Sequence, residues 1–134
     1  MFAPGDTIKT KSAVFAHFAR ALAKGTGFYE ENPEAALQIY WKGNPAAQPT
    51  DDRGRAIGLT EIKYMLDTFT VAKKTDKRYG VMEMAELQRY IDLYREEGLI
   101  RAPLNADDIA TNAFVTQIND FGLGKVRELA RAWK

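Results

Sequence analysis

Asn32-Pro33-Glu34-Ala35-Ala36 lies between two stretches of helical periodicity, and its reading decides the fold. Asn32 is a good N-cap, because its side-chain oxygen can take one of the backbone N–H groups that a helix start leaves orphaned. Pro33 fits the first helical position, where a missing N–H costs nothing. Glu34 sets a negative charge at the positive end of the helix dipole. The run is therefore a helix restart. A second stretch, Thr111-Asn112 followed by Ile118-Asn119-Asp120-Phe121, lies near the other end of the chain.

Outward from the restart, the apolar spacing is helical throughout. After an irregular lead-in with Pro4 and Gly5, a helix is expected over residues 11–29, with Val14, Phe15, Phe18, Ala19, Leu22 and Ala23 on one face. The restarted helix carries Leu37, Ile39, Tyr40 and Trp41 and stops at Gly43-Asn44-Pro45. A third is expected over 51–72 with Ile57, Ile62, Met65, Leu66 and Phe69 as its stripe. Gly54 and Gly58 weaken it by about 1 kcal/mol each and mark close packing or a fraying first turn. Residues 73–80 read as a polar connector. A fourth helix, 82–97, presents Met84, Leu87, Tyr90, Ile91 and Tyr94; Gly98 ends it in a left-handed turn, with Leu99 folding back onto the last turn. Asn105 or Asp107 caps a short helix, a segment with Phe114, Val115 and Ile118 follows, and Asp120 caps a last helix bearing Val126, Leu129 and Trp133. Thr68-Phe69-Thr70-Val71 is the best strand candidate, yet it continues a helical stripe. The expectation is one all-α domain over 1–134, a bundle of five to six helices.

Composition bounds the function. The chain has 134 residues, 46% apolar and 28% charged, with net charge +1, which suits one globular domain with a sizeable core. No excess of positive charge is present to drive binding to nucleic acid or anionic membranes. There are no cysteines and one histidine, His17, so thiolate metal sites, disulfides and cysteine nucleophiles are excluded. The first residues lack the basic region and apolar run of a secretory signal, and no apolar stretch approaches a membrane span. The reading is a soluble chain, either cytoplasmic or part of a protein whose signal lies upstream.

Candidate chemistry is thin. His17 reads as a packed or surface-flank histidine, and no Ser/His/Asp triad can be assembled from spacing. The acidic pairs Glu30-Glu31, Asp51-Asp52, Glu96-Glu97 and Asp107-Asp108 sit near expected helix ends. Three of them precede or open a helix, where negative charge is favoured; Glu96-Glu97 reads as a solvated face. No calcium-loop spacing occurs, and no metal or cofactor is expected. Lys73, Lys74, Lys77 and Arg78, interrupted by Asp76 and followed by Tyr79, read as a solvated connector rather than a nucleic-acid surface. Gly122-Leu123-Gly124-Lys125 lacks the full frame of a phosphate loop. Phe28, Tyr29, Tyr40 and Trp41 surround the restart; they either line a ligand groove or glue the first helix to the second, and the second reading is preferred.

Taken in order, several stretches resemble one known group. Ala21-Leu22-Ala23-Lys24-Gly25-Thr26, Asn32-Pro33-Glu34-Ala35-Ala36 and Tyr40-Trp41-Lys42 are similar to the C-terminal helical section of type II periplasmic binding proteins. These are the ABC-transporter substrate-binding proteins of the nitrate, sulfonate, taurine and thiamine-pyrimidine-precursor class. Tyr90-Ile91-Asp92 through Glu97-Gly98-Leu99-Ile100 resembles the family's late helix and glycine stop. Thr111-Asn112-Ala113-Phe114-Val115 with Ile118-Asn119-Asp120-Phe121 resembles its closing signature, and residues 126–134 its final helix. The resemblance runs from about Ser12 to the end.

That resemblance implies the extracytoplasmic, periplasmic solute-binding component of an ABC importer, non-enzymatic, which delivers a small-molecule solute to a membrane permease. The two strand-rich lobes that hold the solute would lie upstream, so the resemblance carries no ligand-binding residue onto this chain. One branch of the family makes the thiamine pyrimidine, but its reactive histidine and cofactor lysine would also lie upstream, so no turnover is expected. The rival expectation is a free-standing helical interaction or oligomerisation module. In either case apolar stripes without their own sheet to cover are expected to find a second copy, giving a homodimer or a rearranged bundle.

Overall fold

The Asn32 restart forms as the sequence dictates, and the structure gives its side chain a second task. A computed structural model describes residues 3–72 and 77–133, and only the backbone of 69–72. Asn32 Oδ1 accepts the Ala35 N–H at 3.0 Å, so it caps the helix Pro33–Gly43 with Pro33 at its first position. Its amide nitrogen donates to the Ala130 carbonyl at 2.8 Å, in the last turn of the final helix. One side chain thus serves an orphan donor of one helix and a near-terminal acceptor of another, which raises the value of the cap above its local worth.

The described elements are all helical: α1 (Gly5–Thr10), α2 (Ser12–Glu31), α3 (Pro33–Gly43), a 3₁₀ turn at Pro45–Ala47, α4 (Asp52–Ala72), α5 (Met84–Glu96), α6 (Ala106–Ile109), α7 (Val115–Ile118) and α8 (Leu123–Ala132). Five of these helices have ten residues or more, within the expected bundle of five to six. Thr68 to Val71 is helical, as its stripe implied. The lead-in departs from expectation, because residues from Gly5 onward form α1: the Pro4 carbonyl accepts the Ile8 N–H at 3.1 Å, and Asp6 suits the first turn. α1 runs into α2 through a single non-helical residue, Lys11.

α2 is the axis of the molecule, packing against α8, α7 and α3. It achieves this with small residues. Ala16, Ala23 and Gly27 are its buried positions, and fully buried Ala130 is the buried residue of α8. A Cβ on Gly27 would stand 2.7 Å from Leu123 Cδ1 and 3.2 Å from the Tyr79 hydroxyl, so a larger residue would have to push the Leu123 side chain aside. Ala23, Tyr79 and Ile118 form a buried cluster flanked by Ala19, Phe114, Phe121 and Leu123. The expected stripes are correspondingly split. Val14, Phe18 and Leu22 of α2, Ile57 and Met65 of α4, Tyr90 and Tyr94 of α5 and Leu129 of α8 stay exposed; the contacts turn α2 and α8 onto their small-residue edges, whereas α5 buries Ile91. Phe69 lies outside the residues whose side chains are described.

Helix ends follow local chemistry with two exceptions. Gly98, at φ +73°, closes α5: the Leu99 N–H reaches the Tyr94 carbonyl at 2.9 Å and the Gly98 N–H the Arg95 carbonyl at 3.0 Å, the paired bonds of a Schellman turn. The Leu99 side chain nevertheless stays exposed, against the expected fold-back. Asp108 accepts the Asn105 N–H at 2.8 Å at the start of α6. Asp120 does not cap α8, whose N-cap is Gly122; its carboxylate instead lies 3.8 Å from Arg20, which also donates to the Gln117 carbonyl at 2.7 Å. In α4 both glycines mark close packing: Asp51 accepts the Gly54 N–H at 2.7 Å where Pro49 crowds the first turn, and Gly58 faces Trp41.

Two measurements check these assignments. Urea unfolding of Asn32→Ala is expected to show a loss of about 2 kcal/mol, whereas Asn32→Ser, which keeps only the cap, loses about 1 kcal/mol. Gly27→Ala is expected to cost about 1–3 kcal/mol through overpacking, while Gly124→Ala, whose Cβ meets nothing within 4 Å, gains about 0.5–1 kcal/mol.

Candidate functional site

The sequence candidates do not converge on a catalytic constellation. His17 is exposed on α2. Glu30 and Glu31 directly precede the cap of α3, as expected, but they also form the last turn of α2, the unfavourable end of its dipole for negative charge. Both are compensated from elsewhere: the Tyr79 hydroxyl donates to Glu30 at 2.7 Å, and Arg131 and Arg127 of α8 stand 2.6 and 3.6 Å from Glu31. Asp51 caps α4, Asp52 pairs with Arg55, and Glu96-Glu97 is exposed, as expected. Among the described residues no group of three metal-ligating side chains occurs. Lys73, Lys74 and Asp76 of the basic connector lie outside the described residues, and Lys77 is exposed.

The second sequence stretch has a clear structural role. Asn119 accepts the Tyr79 N–H at 2.8 Å and donates to the Tyr79 carbonyl at 2.9 Å. Asn112 does the same for Met82, at 2.8 Å in both directions. Each amide presents its donor and acceptor to both polar atoms of one residue, in the manner of a paired strand. Residues 77–83 have no helix of their own, so these two clamps supply partners that the backbone requires. Between them Gly80 sits at φ +76°, the left-handed region that favours glycine, with Ile118 Cδ1 2.9 Å from where a Cβ would be.

The four aromatics around the restart take separate partners and do not line one groove. Phe28 meets Trp133 edge to face at 6.1 Å, and the Tyr29 hydroxyl donates to the Ile62 carbonyl of α4 at 2.6 Å. Tyr40 is exposed. Trp41 alone enters a cavity. It lies against Gly58, where a Cβ would be 3.2 Å from the indole, and with Leu37, Ala56 and Leu59 it floors a groove of about 520 Å³ between α3 and α4. Glu34, Gln38 and Lys42 rim it from α3, two turns of one face, and Gln48 and Arg55 close the other side. An apolar floor with a few polar rim groups is the make-up of a small-ligand cleft. The sequence reading missed Gln38, Gln48 and Arg55; the usable signal was Gly58, a helix-interior glycine that marks where a large ring approaches.

No helix among the described residues is long and apolar enough to cross a membrane. No protein-family model, no curated protein and no solved structure matches this chain.

The Tyr79 phenol is held above its ordinary value of 10.0, first by burial, then by its hydrogen bond to Glu30 and that carboxylate's charge, with Arg127 acting in the opposite sense. Tyrosine in the unfolded chain therefore loses its proton at a pH where folded Tyr79 keeps it. Stability from this group is complete below pH 10 and falls as pH rises above it. Unfolding midpoints at pH 8 and pH 11 are expected to differ less in Tyr79→Phe than in the parent. A remnant persists because burial also raises Tyr29.

Proposed function

We propose that this chain is a helical section of the extracytoplasmic solute-binding component of an ABC importer, and that its work is to hold protein rather than to turn over substrate. The observation that carries the reading is the surface. The chain exposes 10,104 Å², whereas a compact monomer of 15.1 kDa exposes about 7,100 Å². The difference, roughly 3,000 Å², exceeds one side of a standard protein interface, about 800 Å². Much of it is apolar: Ile57, Tyr64 and Met65 on α4, and Tyr90, Leu93 and Tyr94 on α5. Faces of this kind suit helices that support a larger body.

The stretches that carry the resemblance support the same reading. Asn32, Asn112 and Asn119 all bind backbone, which is the work of a scaffold. In the importer the solute would be held by the strand-rich lobes, and the permease would meet the assembled protein. A second reading, a free-standing oligomerisation module, draws on the uncharged outer face of α2.

The test uses the protein from its natural source. Its mass, its cell fraction and its thermal shift with nitrate, sulfonates, pyrimidines and aromatic acids are measured together. A product larger than this chain, in an extracytoplasmic fraction and stabilised by one of these solutes, is expected. A cytoplasmic product of this length with no shift overturns the importer reading.

A further inference from the structure

Residues 83–111 leave the body of the molecule and return to it at one place. The Met82 N–H donates to Asn112 Oδ1 and Asn112 Nδ2 donates to the Met82 carbonyl, both at 2.8 Å, so positions 30 residues apart in the chain close on each other. Asn112 belongs to the body. Its carbonyl accepts the Val115 N–H at 3.1 Å at the start of α7, and α7 packs on α2. Met82 stands on the other side, just ahead of α5, whose first turn closes as the Leu87 N–H donates to the Glu83 carbonyl at 3.0 Å. The pair is therefore a neck, with α5 and α6 beyond it.

The part beyond the neck is tied together from within. α5 packs on α6. The Ala106 N–H donates to Gln88 Oε1 at 2.8 Å, and Arg95 donates to the Leu104 carbonyl at 2.9 Å. Ile91 and Ala106 are the buried residues of this unit, and neither belongs to the cluster of Ala23, Tyr79 and Ile118. The other buried apolar residues described, from Ala16 to Ala130, lie in the body. A segment with its own hydrogen bonds and few buried apolar residues is the kind that opens ahead of the rest of a fold.

The two asparagine clamps differ in a way that places the hinge. Asn119 is half-buried, donates also to the Val115 carbonyl at 2.7 Å, and holds a Tyr79 that is buried in the cluster. The Asn112 pair is exposed, so water competes for its bonds. Between Tyr79 and Met82 lie Gly80, at φ +76°, and Val81. Glycine moves between backbone regions that other residues cannot cross cheaply, so the dihedral change of a swing falls there. We propose that α5 and α6 form a hinged arm, which opens as one unit at the Met82–Asn112 neck while Tyr79 and Asn119 stay on the body. The swing carries the exposed Tyr90, Leu93 and Tyr94 with it. It needs neither a solute nor a permease, so the inference stands or falls independently of the importer reading.

Amide hydrogen exchange of the full chain, followed residue by residue in sub-denaturing urea, tests this. In the parent, amides of α5 and α6 are expected to exchange together and at least about tenfold faster, relative to their intrinsic rates, than those in the middle of α2 and in α8. Their urea dependence is expected to be weaker, because a partial opening exposes less surface than global unfolding. Asn112→Ala is expected to speed exchange in α5 by a further factor of roughly five to ten and to leave α2 within about twofold, as the loss of exposed hydrogen bonds at the neck implies. Asn119→Ala is expected to speed α2 and α8 as well, since it frees Tyr79 from the body. One opening rate and one urea slope shared by α5 and α2 in the parent overturns the proposal, and so does an equal rise of both in Asn112→Ala. The parent's urea series decides the question even where a variant does not fold.

Discussion

The amide of Asn119, closed on both polar atoms of Tyr79, is the interaction on which the architecture depends. Residues 77–83 cross between α4 and α5 without a helix to satisfy their backbone. An amide that offers one donor and one acceptor is the least structure that can do so, and Asn112 repeats the device at Met82. Once Tyr79 is held, its ring reaches the Ala23 and Ile118 cluster and its hydroxyl reaches Glu30. The clamps thereby tie α5 and α6 to the body built on α2. The Asn119 pair is half-buried, so leaving it unmade costs part of the desolvation of its groups, and the exposed Asn112 pair costs less.

The second constraint is the smallness of the core. Among the described residues no large side chain is completely buried; alanines and one glycine line the contact between α2 and α8. Close backbone approach substitutes for bulk, and dispersion between near helices replaces the burial of large side chains. The consequence is that the large apolar residues face outward in number. In a chain of this size that surface is expensive to leave in water.

The ionic groups follow from the same geometry. α2 ends on two glutamates, at the pole of its dipole that disfavours them. The last helix brings Arg127 and Arg131 to one, and the connector brings Tyr79 to the other. The acidic pair is thus a junction among α2, α8 and the connector, with its charge answered by groups 49 to 100 residues away in the chain. No local rule contains that outcome.

What the sequence alone determined is everything that rests on near neighbours. Asn32-Pro33 as a helix restart, Gly98 as a left-handed stop and the all-helical class follow from capping, backbone preference and periodicity, which act within a turn or two. Periodicity even kept Thr68 to Val71 in a helix. Only the tertiary structure decided which side of each helix is inside. α2 has a large-residue edge and a small-residue edge, and both read as apolar; the close fit of Gly27 against Leu123 and Tyr79 selected the small one. The same holds for the three asparagines, whose second hydrogen-bond partners lie 98, 30 and 40 residues distant. A side-chain amide has no sequence signal for a distant backbone, because it recognises a shape that exists only after the chain has folded.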